Sequence, residues 1–239
     1  MPTVDAPIRD AAFAFLRAIA ERVGAARWAL SQLPQPLNVE GLLDDFAAGA
    51  LRYIRPQVVR LSGAEAARVR DAVCVRLRAA LEDDRLDGGY WMVTALQYLP
   101  PDRGANELLA AAMLRVAETG DEHMGLRVGL LKALSALRPL QAVPALVELL
   151  GRLDHAGYRG TAARCLRNIV EHHGEAGRRA VAGHRAIVEA ALADVGQRRA
   201  QARPVEPERP WDHSHGTPGW FAECDRARKS LTRLVAALE

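Results

Sequence analysis

Apolar side chains recur at three- and four-residue steps along almost the whole chain, and no convincing run alternates with period two. That spacing gives each segment one apolar stripe of a helix and leaves no segment with the pattern of a half-buried strand. Composition points the same way. The 239 residues include 44 Ala and 31 Leu, against 5% aromatic residues and little of the Val, Ile, Thr and Tyr that sheets favour. An all-β fold is excluded and an all-α fold is expected. The 32 basic and 29 acidic residues nearly cancel, so net charge points neither to a strong nucleic-acid binder nor to an acidic disordered tail.

Local signals place the first helices. Asp5 and Pro7 open one that runs through Phe13, Leu16, Ile19, Val23 and Leu30 and is stopped by Pro34-Gln35-Pro36. Asn38 caps a second, through Leu42, Leu43, Phe46 and Leu51, which Pro56 should kink or stop. Ser62-Gly63-Ala64-Glu65 is a capping box that starts a third, through Val69, Val73, Leu77 and Leu81. Arg9, Arg17, Glu21 and Arg22 interrupt the early apolar runs, so neither a signal peptide nor a membrane span fits and a cytoplasmic protein is expected. Cys74, Cys165 and Cys224 are odd in number, far apart and without a CxxC pair, which argues against a disulfide framework or a zinc knuckle. Cys74 and Cys165 sit inside apolar stripes, where a thiol acts as a small hydrophobe. Arg supplies 30 of the 32 basic residues, a skew that accompanies abundant Ala and Gly and fits the codon bias of a GC-rich bacterial genome. Arginine abundance alone is therefore no argument for phosphate binding.

Three segments align without gaps: 88–99, 126–137 and 158–169, with offsets of 38 and 32 residues. Such periods suit paired-helix repeats. The shared pattern is an apolar residue, Arg, then Ala or Cys followed by Leu, and Leu or Ile three further on; Gly89 replaces the Arg in the first segment. Other helical stretches, Asn106 to Glu118 and Gln141 to Leu153, lie between the aligned segments, each followed by an acidic turn containing Asp121 or Asp154. Over residues 104–173 this order resembles the HEAT repeat family, whose Pro on the first helix, Asp in the turn and Arg on the second helix correspond to Pro144, Asp154 and Arg159. The preceding unit keeps Asp121 and Arg127. The resemblance implies a right-handed α-solenoid, and it implies that Arg127 and Arg159 serve a structural ladder by pairing with turn aspartates.

Beyond the aligned segments, Glu175 to Gln201 reads as one long helix or as a further pair broken near Gly183. The segment 202–219 is rich in proline and cannot be a continuous helix. Thr217-Pro218 supplies a cap and first position for a closing helix through Trp220, Leu231, Leu234 and Leu238. The expected organisation is an N-terminal helical cap over 1–61, HEAT-like repeats over 62–201, the proline-rich loop over 202–219 and a C-terminal capping helix over 220–239, all one elongated domain.

Chemistry-bearing residues are few. From Arg159 to Arg203 there are nine Arg and four acidic residues, and Arg159, Arg167, Arg178, Arg179, Arg198 and Arg199 are the candidates for gripping an acidic partner. The densest set of metal-ligand types is Asp212, His213, His215, Glu223 and Cys224. No standard zinc spacing is present, so His213, His215 and Cys224 are expected to contact solvent or cap the last helix, and no metal or other cofactor is expected. His172-His173, near a helix C-terminus, is explained by the helix dipole. No phosphate loop, GxSxG elbow, HExxH or EF-hand loop occurs, and no residue is assigned a catalytic role. The expected function is a scaffold or adaptor that binds a protein or peptide partner on the surface of successive second helices, with no membrane involved. The alternative is a nucleic-acid binder. Alkylpurine DNA glycosylases built on HEAT-like repeats are similar in length and architecture, and the resemblance would give Asp87 and Trp91 a role, although the order of those two residues departs from that family's motif.

Overall fold

A computed structural model of the chain describes residues 6–22, 37–48, 54–83, 89–118, 124–152, 156–206 and 215–239. Among them the fold is all-helical, with twelve helices and no strand. They are α1 (Ala6–Arg22), α2 (Val39–Ala48), α3 (Ile54–Val58), α4 (Gly63–Glu82), α5 (Gly89–Tyr98), α6 (Arg103–Glu118), α7 (Met124–Leu137), α8 (Val143–Arg152), α9 (Ala156–His173), α10 (Glu175–Ala182), α11 (Arg185–Gln201) and α12 (Pro218–Ala236). A 3-10 turn, Leu140–Ala142, leads into α8. None of the described helices is long and apolar enough to cross a membrane.

Four starts follow from local side-chain caps. The Asn38 side chain accepts from Gly41 N–H at 3.1 Å before α2. Ser62 and Glu65 form the reciprocal box at the start of α4, where the Glu65 carboxylate accepts from Ser62 N–H at 2.8 Å. Asp102 accepts from Ala105 N–H at 2.7 Å, which is why α6 begins three residues before the Asn106 start read from periodicity. Thr217 Oγ1 accepts from Trp220 N–H at 3.3 Å, with Pro218 in the first turn of α12. The second helix is described over Val39–Ala48, and its expected continuation through Leu51 falls on residues 49–53, outside the described residues; Pro56 lies in the first turn of α3, where its missing N–H has no intrahelical partner to lose. The first helix is described over Ala6–Arg22, and its expected continuation through Val23 and Leu30 to the Pro34-Gln35-Pro36 stop falls on residues 23–36, outside the described part of the chain. Of the two readings of 175–201, the broken pair is found, with the turn at Gly183-His184 closed by His184 N–H to Val181 O at 2.9 Å.

Packing partners fall into two interleaved series. In one, α4 packs on α6, α6 on α8 and α8 on α11; in the other, α5 packs on α7, α7 on α9 and α9 on α12. Sequential neighbours α4 and α5, α6 and α7, α8 and α9, and α11 and α12 join the series. Buried Leu109, Met113, Leu130, Leu134, Leu146, Leu149, Leu150 and Leu166 belong to one continuous core. The three cysteines are free thiols; Cys165 and Cys224 are buried, and Cys165 Sγ donates to Leu131 O at 3.3 Å. The most extensive helix contact is α9 with α12. Gly160 makes it possible, because a Cβ there would stand 2.8 Å from Ala227 Cα. The closing helix thus fills the place after α9 in the second series and also pairs with α11.

Candidate partner-binding face

The six candidate arginines are all engaged by acidic side chains. Arg159 is 5% exposed and donates to Asp194, which also accepts from Arg198 at 2.9 Å. Arg199 grips Asp225 through two bonds of 2.6 and 3.0 Å, and its guanidinium lies 5.5 Å from the centre of the Phe221 ring. That contact holds the Asp225 carboxyl below the usual carboxylate range. Arg178 and Arg179 share Glu175, at 3.1 and 3.8 Å, and Arg167 meets Glu171 at 3.2 Å. The six candidate arginines therefore fall into four groups around Asp194, Asp225, Glu175 and Glu171 instead of one patch; the Glu175 and Glu171 groups lie within single helices, and the Asp194 and Asp225 groups are built across helices. Arg159 in particular is turned into the fold, beneath a groove of about 500 Å³ between α8 and α11.

The other candidates are also placed by their neighbours. The His215 ring packs on Trp220 at a 50° tilt with ring centres 4.4 Å apart, while Cys224 is buried in the α12 interface and His213 lies outside the described residues. Among the described residues no three His, Cys, Asp or Glu side chains gather where they could hold a metal ion. His173 Nε2 is 2.8 Å from Arg138 O, the carbonyl of a residue with φ 52° at the end of α7, so this histidine completes a helix terminus. Trp91 is 8% exposed and packs on Phe46 with ring centres 6.3 Å apart, leaving no open ring face for a base. Asp87 lies outside the described residues.

A different surface is built by the aligned segments themselves. In α5, α7 and α9 the same register position holds Thr94, Lys132 and Arg164; three and four residues further on stand Gln97 and Tyr98, then Ser135 and Ala136, then Arg167 and Asn168. One helix turn separates these positions, so they share a face opposite the buried Leu96, Leu134 and Leu166. Most of them line a groove of about 370 Å³ across α5, α7 and α9, together with Tyr90, Gly129, Leu131 and Thr161. Thr161 and Arg164 also line a smaller hollow of about 270 Å³ between α9 and α12, opposite Glu223, Arg226 and Ser230.

The groove is polar, cationic and only partly committed. Among the described residues no acidic side chain lines it, and neither Lys132 nor Arg164 makes an ion pair with a described residue. Asn168 Nδ2 donates to Ser135 Oγ at 3.0 Å, tying α9 to α7, and the hydroxyls of Thr94 and Thr161 donate to carbonyls one turn back in their own helices. The Tyr90 ring lies against the α7 backbone at Gly129, where a Cβ would be 2.6 Å from Tyr90 Cδ2. Tyr98 is 37% exposed at the rim, with the Arg55 guanidinium 5.7 Å from its ring centre. A run of charge in the sequence does not reveal this face. The alignment does contain its signal, because the positions that vary among the three segments at helical spacing are the ones that meet. No family model, curated protein or solved structure matches the chain.

Proposed function

We propose that the chain is a HEAT-like right-handed α-solenoid that works as a scaffold or adaptor, holding a protein or peptide partner on the face made by α5, α7 and α9. The solenoid part is supported by the two interleaved packing series, in which each added helix pair covers the face left by the one before it. The binding part rests on one observation: three register-equivalent positions, Thr94, Lys132 and Arg164, converge on a single groove that no described acidic side chain lines and that is rimmed by tyrosine. Tyrosine, small residues and cations that no described carboxylate meets suit a protein partner, since rigid rings supply contact area at low entropic cost.

Photo-crosslinking tests this assignment. A photoreactive residue at Gln97 or Ala136, carried by the full chain in its native cells, is expected to give discrete protein adducts that survive nuclease. The same residue at Arg179, on α10, is expected to give none. Adducts that form only at Arg179, or that vanish with nuclease, would remove the assignment.

A further inference from the structure

Resting on the reading of that groove as a partner-binding face, we infer that the partner presents an acidic extended peptide segment whose carboxylates are taken by Lys132 and Arg164. Charge complementarity carries the inference. The six candidate arginines are each met by a carboxylate of this chain, whereas Lys132 and Arg164 stand on adjacent helices at the same register and face the groove with no such partner among the described residues. Two fixed cations on packed helices recognise two carboxylates together, and their common register sets where along the segment those carboxylates fall. The groove also offers main-chain recognition. The Gln97 amide both donates and accepts, the Tyr90 hydroxyl is at hand, and Ser135 and Thr161 retain acceptor lone pairs after donating or accepting within the fold. An extended segment needs such groups to replace the water it gives up.

A peptide fits these observations better than a nucleic acid. Two cations would release few counterions, giving single-stranded nucleic acid a salt slope of only about −1.4. Neither tyrosine offers an unencumbered stacking platform, because Tyr90 lies on the Gly129 backbone and Tyr98 sits beneath Arg55.

The test is selection of random twelve-residue peptides from a phage library on the full chain. Parallel selections use the Lys132→Glu/Arg164→Glu variant, the milder Lys132→Gln/Arg164→Gln variant and the groove-filling Ala136→Trp variant. Circular dichroism melting serves as the folding control. On the wild-type chain the Asp and Glu content of the selected pool is expected to rise about twofold over the input, and on the Glu variant to fall below it. A synthetic peptide from the wild-type pool is expected to bind the Glu variant about tenfold or more weakly and the Gln variant more weakly in the same direction, with Arg178→Glu/Arg179→Glu within about twofold of wild type. Peptides with no acidic enrichment, still lost on Ala136→Trp, would overturn the acidic inference and leave the partner-binding face standing. Peptides indifferent to Ala136→Trp, or no selection at all, would overturn both. A labelled oligothymidylate that displaces the peptides and shares their sensitivity to charge reversal would overturn the inference in favour of nucleic acid.

Discussion

Arg159 and Lys132 occupy neighbouring turns of aligned segments and meet opposite fates, which depend on the face each helix buries. Arg159 takes the register position of Arg127, and both are buried: Arg127 donates to Val116 O at 3.1 Å and lies 5.2 Å from the centre of the Tyr158 ring. The turn residues Asp121 and Asp154 lie outside the described residues; the carboxylate that meets Arg159 is Asp194, in the middle of α11. Arg159→Leu is expected to cost about 1–3 kcal/mol in denaturant unfolding, less than for a fully enclosed pair because Asp194 keeps Arg198 and some solvent. Partial burial pushes the Asp194 carboxyl up, but hydrogen bonds from Arg159 and Arg198 outweigh it and hold the carboxyl below the usual carboxylate range. Its contribution to stability is complete above about pH 4, the ordinary value, and is lost as pH falls through the lowered one. Stability measured from pH 5 down to pH 2 should therefore fall less steeply in Arg159→Leu than in the wild-type chain. Burial also pushes the Cys74 and Cys165 thiols up to about 11. In the folded chain, alkylation of Cys74 should stay slow at neutral pH and climb only as pH approaches that value, whereas denaturant should make all three thiols react as ordinary ones.

Helix boundaries set by short-range chemistry were legible, and helix contacts were not. The Ser62 box and the Thr217-Pro218 start can be read from four adjacent residues, because the donors they satisfy are in the same turn. Thr217→Ala is expected to lower stability by about 1 kcal/mol, measured as a shift of the denaturant midpoint with no change in slope. Gly160 gave no such signal. It reads as a poor residue inside a helix, yet its hydrogen lets the α9 backbone meet α12 at Ala227. Gly160→Ala should destabilise by about 1–3 kcal/mol despite the better helix propensity of alanine, because the α9 and α12 backbones would have to separate. The same substitution at Gly125, whose Cβ would meet nothing within 4 Å, is the control and should be neutral or mildly stabilising.

At the scale of the whole molecule, α12 is part of the core. It contributes buried Trp220, Ala227, Leu231 and Leu234 and packs on both α9 and α11. Loss of the Leu231 and Leu234 burial alone amounts to about 3–6 kcal/mol, a large share of the stability of any single domain. A chain ending at residue 206 is expected to lose cooperative unfolding and to bind a hydrophobic dye at neutral pH, while the full chain does neither. Retained cooperative melting in the shortened chain would show that α12 is dispensable.

The sequence by itself determined helical class, the capped starts at Asn38, Ser62 and Thr217 and the register of three aligned segments, because periodicity, capping and propensity act within a few turns of the chain. Pairs at three- and four-residue spacing engage Arg167, Arg178, Arg179 and Arg198 within single helices, and only the tertiary structure decided the rest. Arg199 meets Asp225 and Arg159 meets Asp194 across helices, and each contact depends on packing between segments distant in sequence. The same packing brings Thr94, Lys132 and Arg164 to one groove. A charge becomes a recognition element only when the fold leaves it facing solvent without a counter-charge, and that condition is set by neighbours that local pattern does not specify.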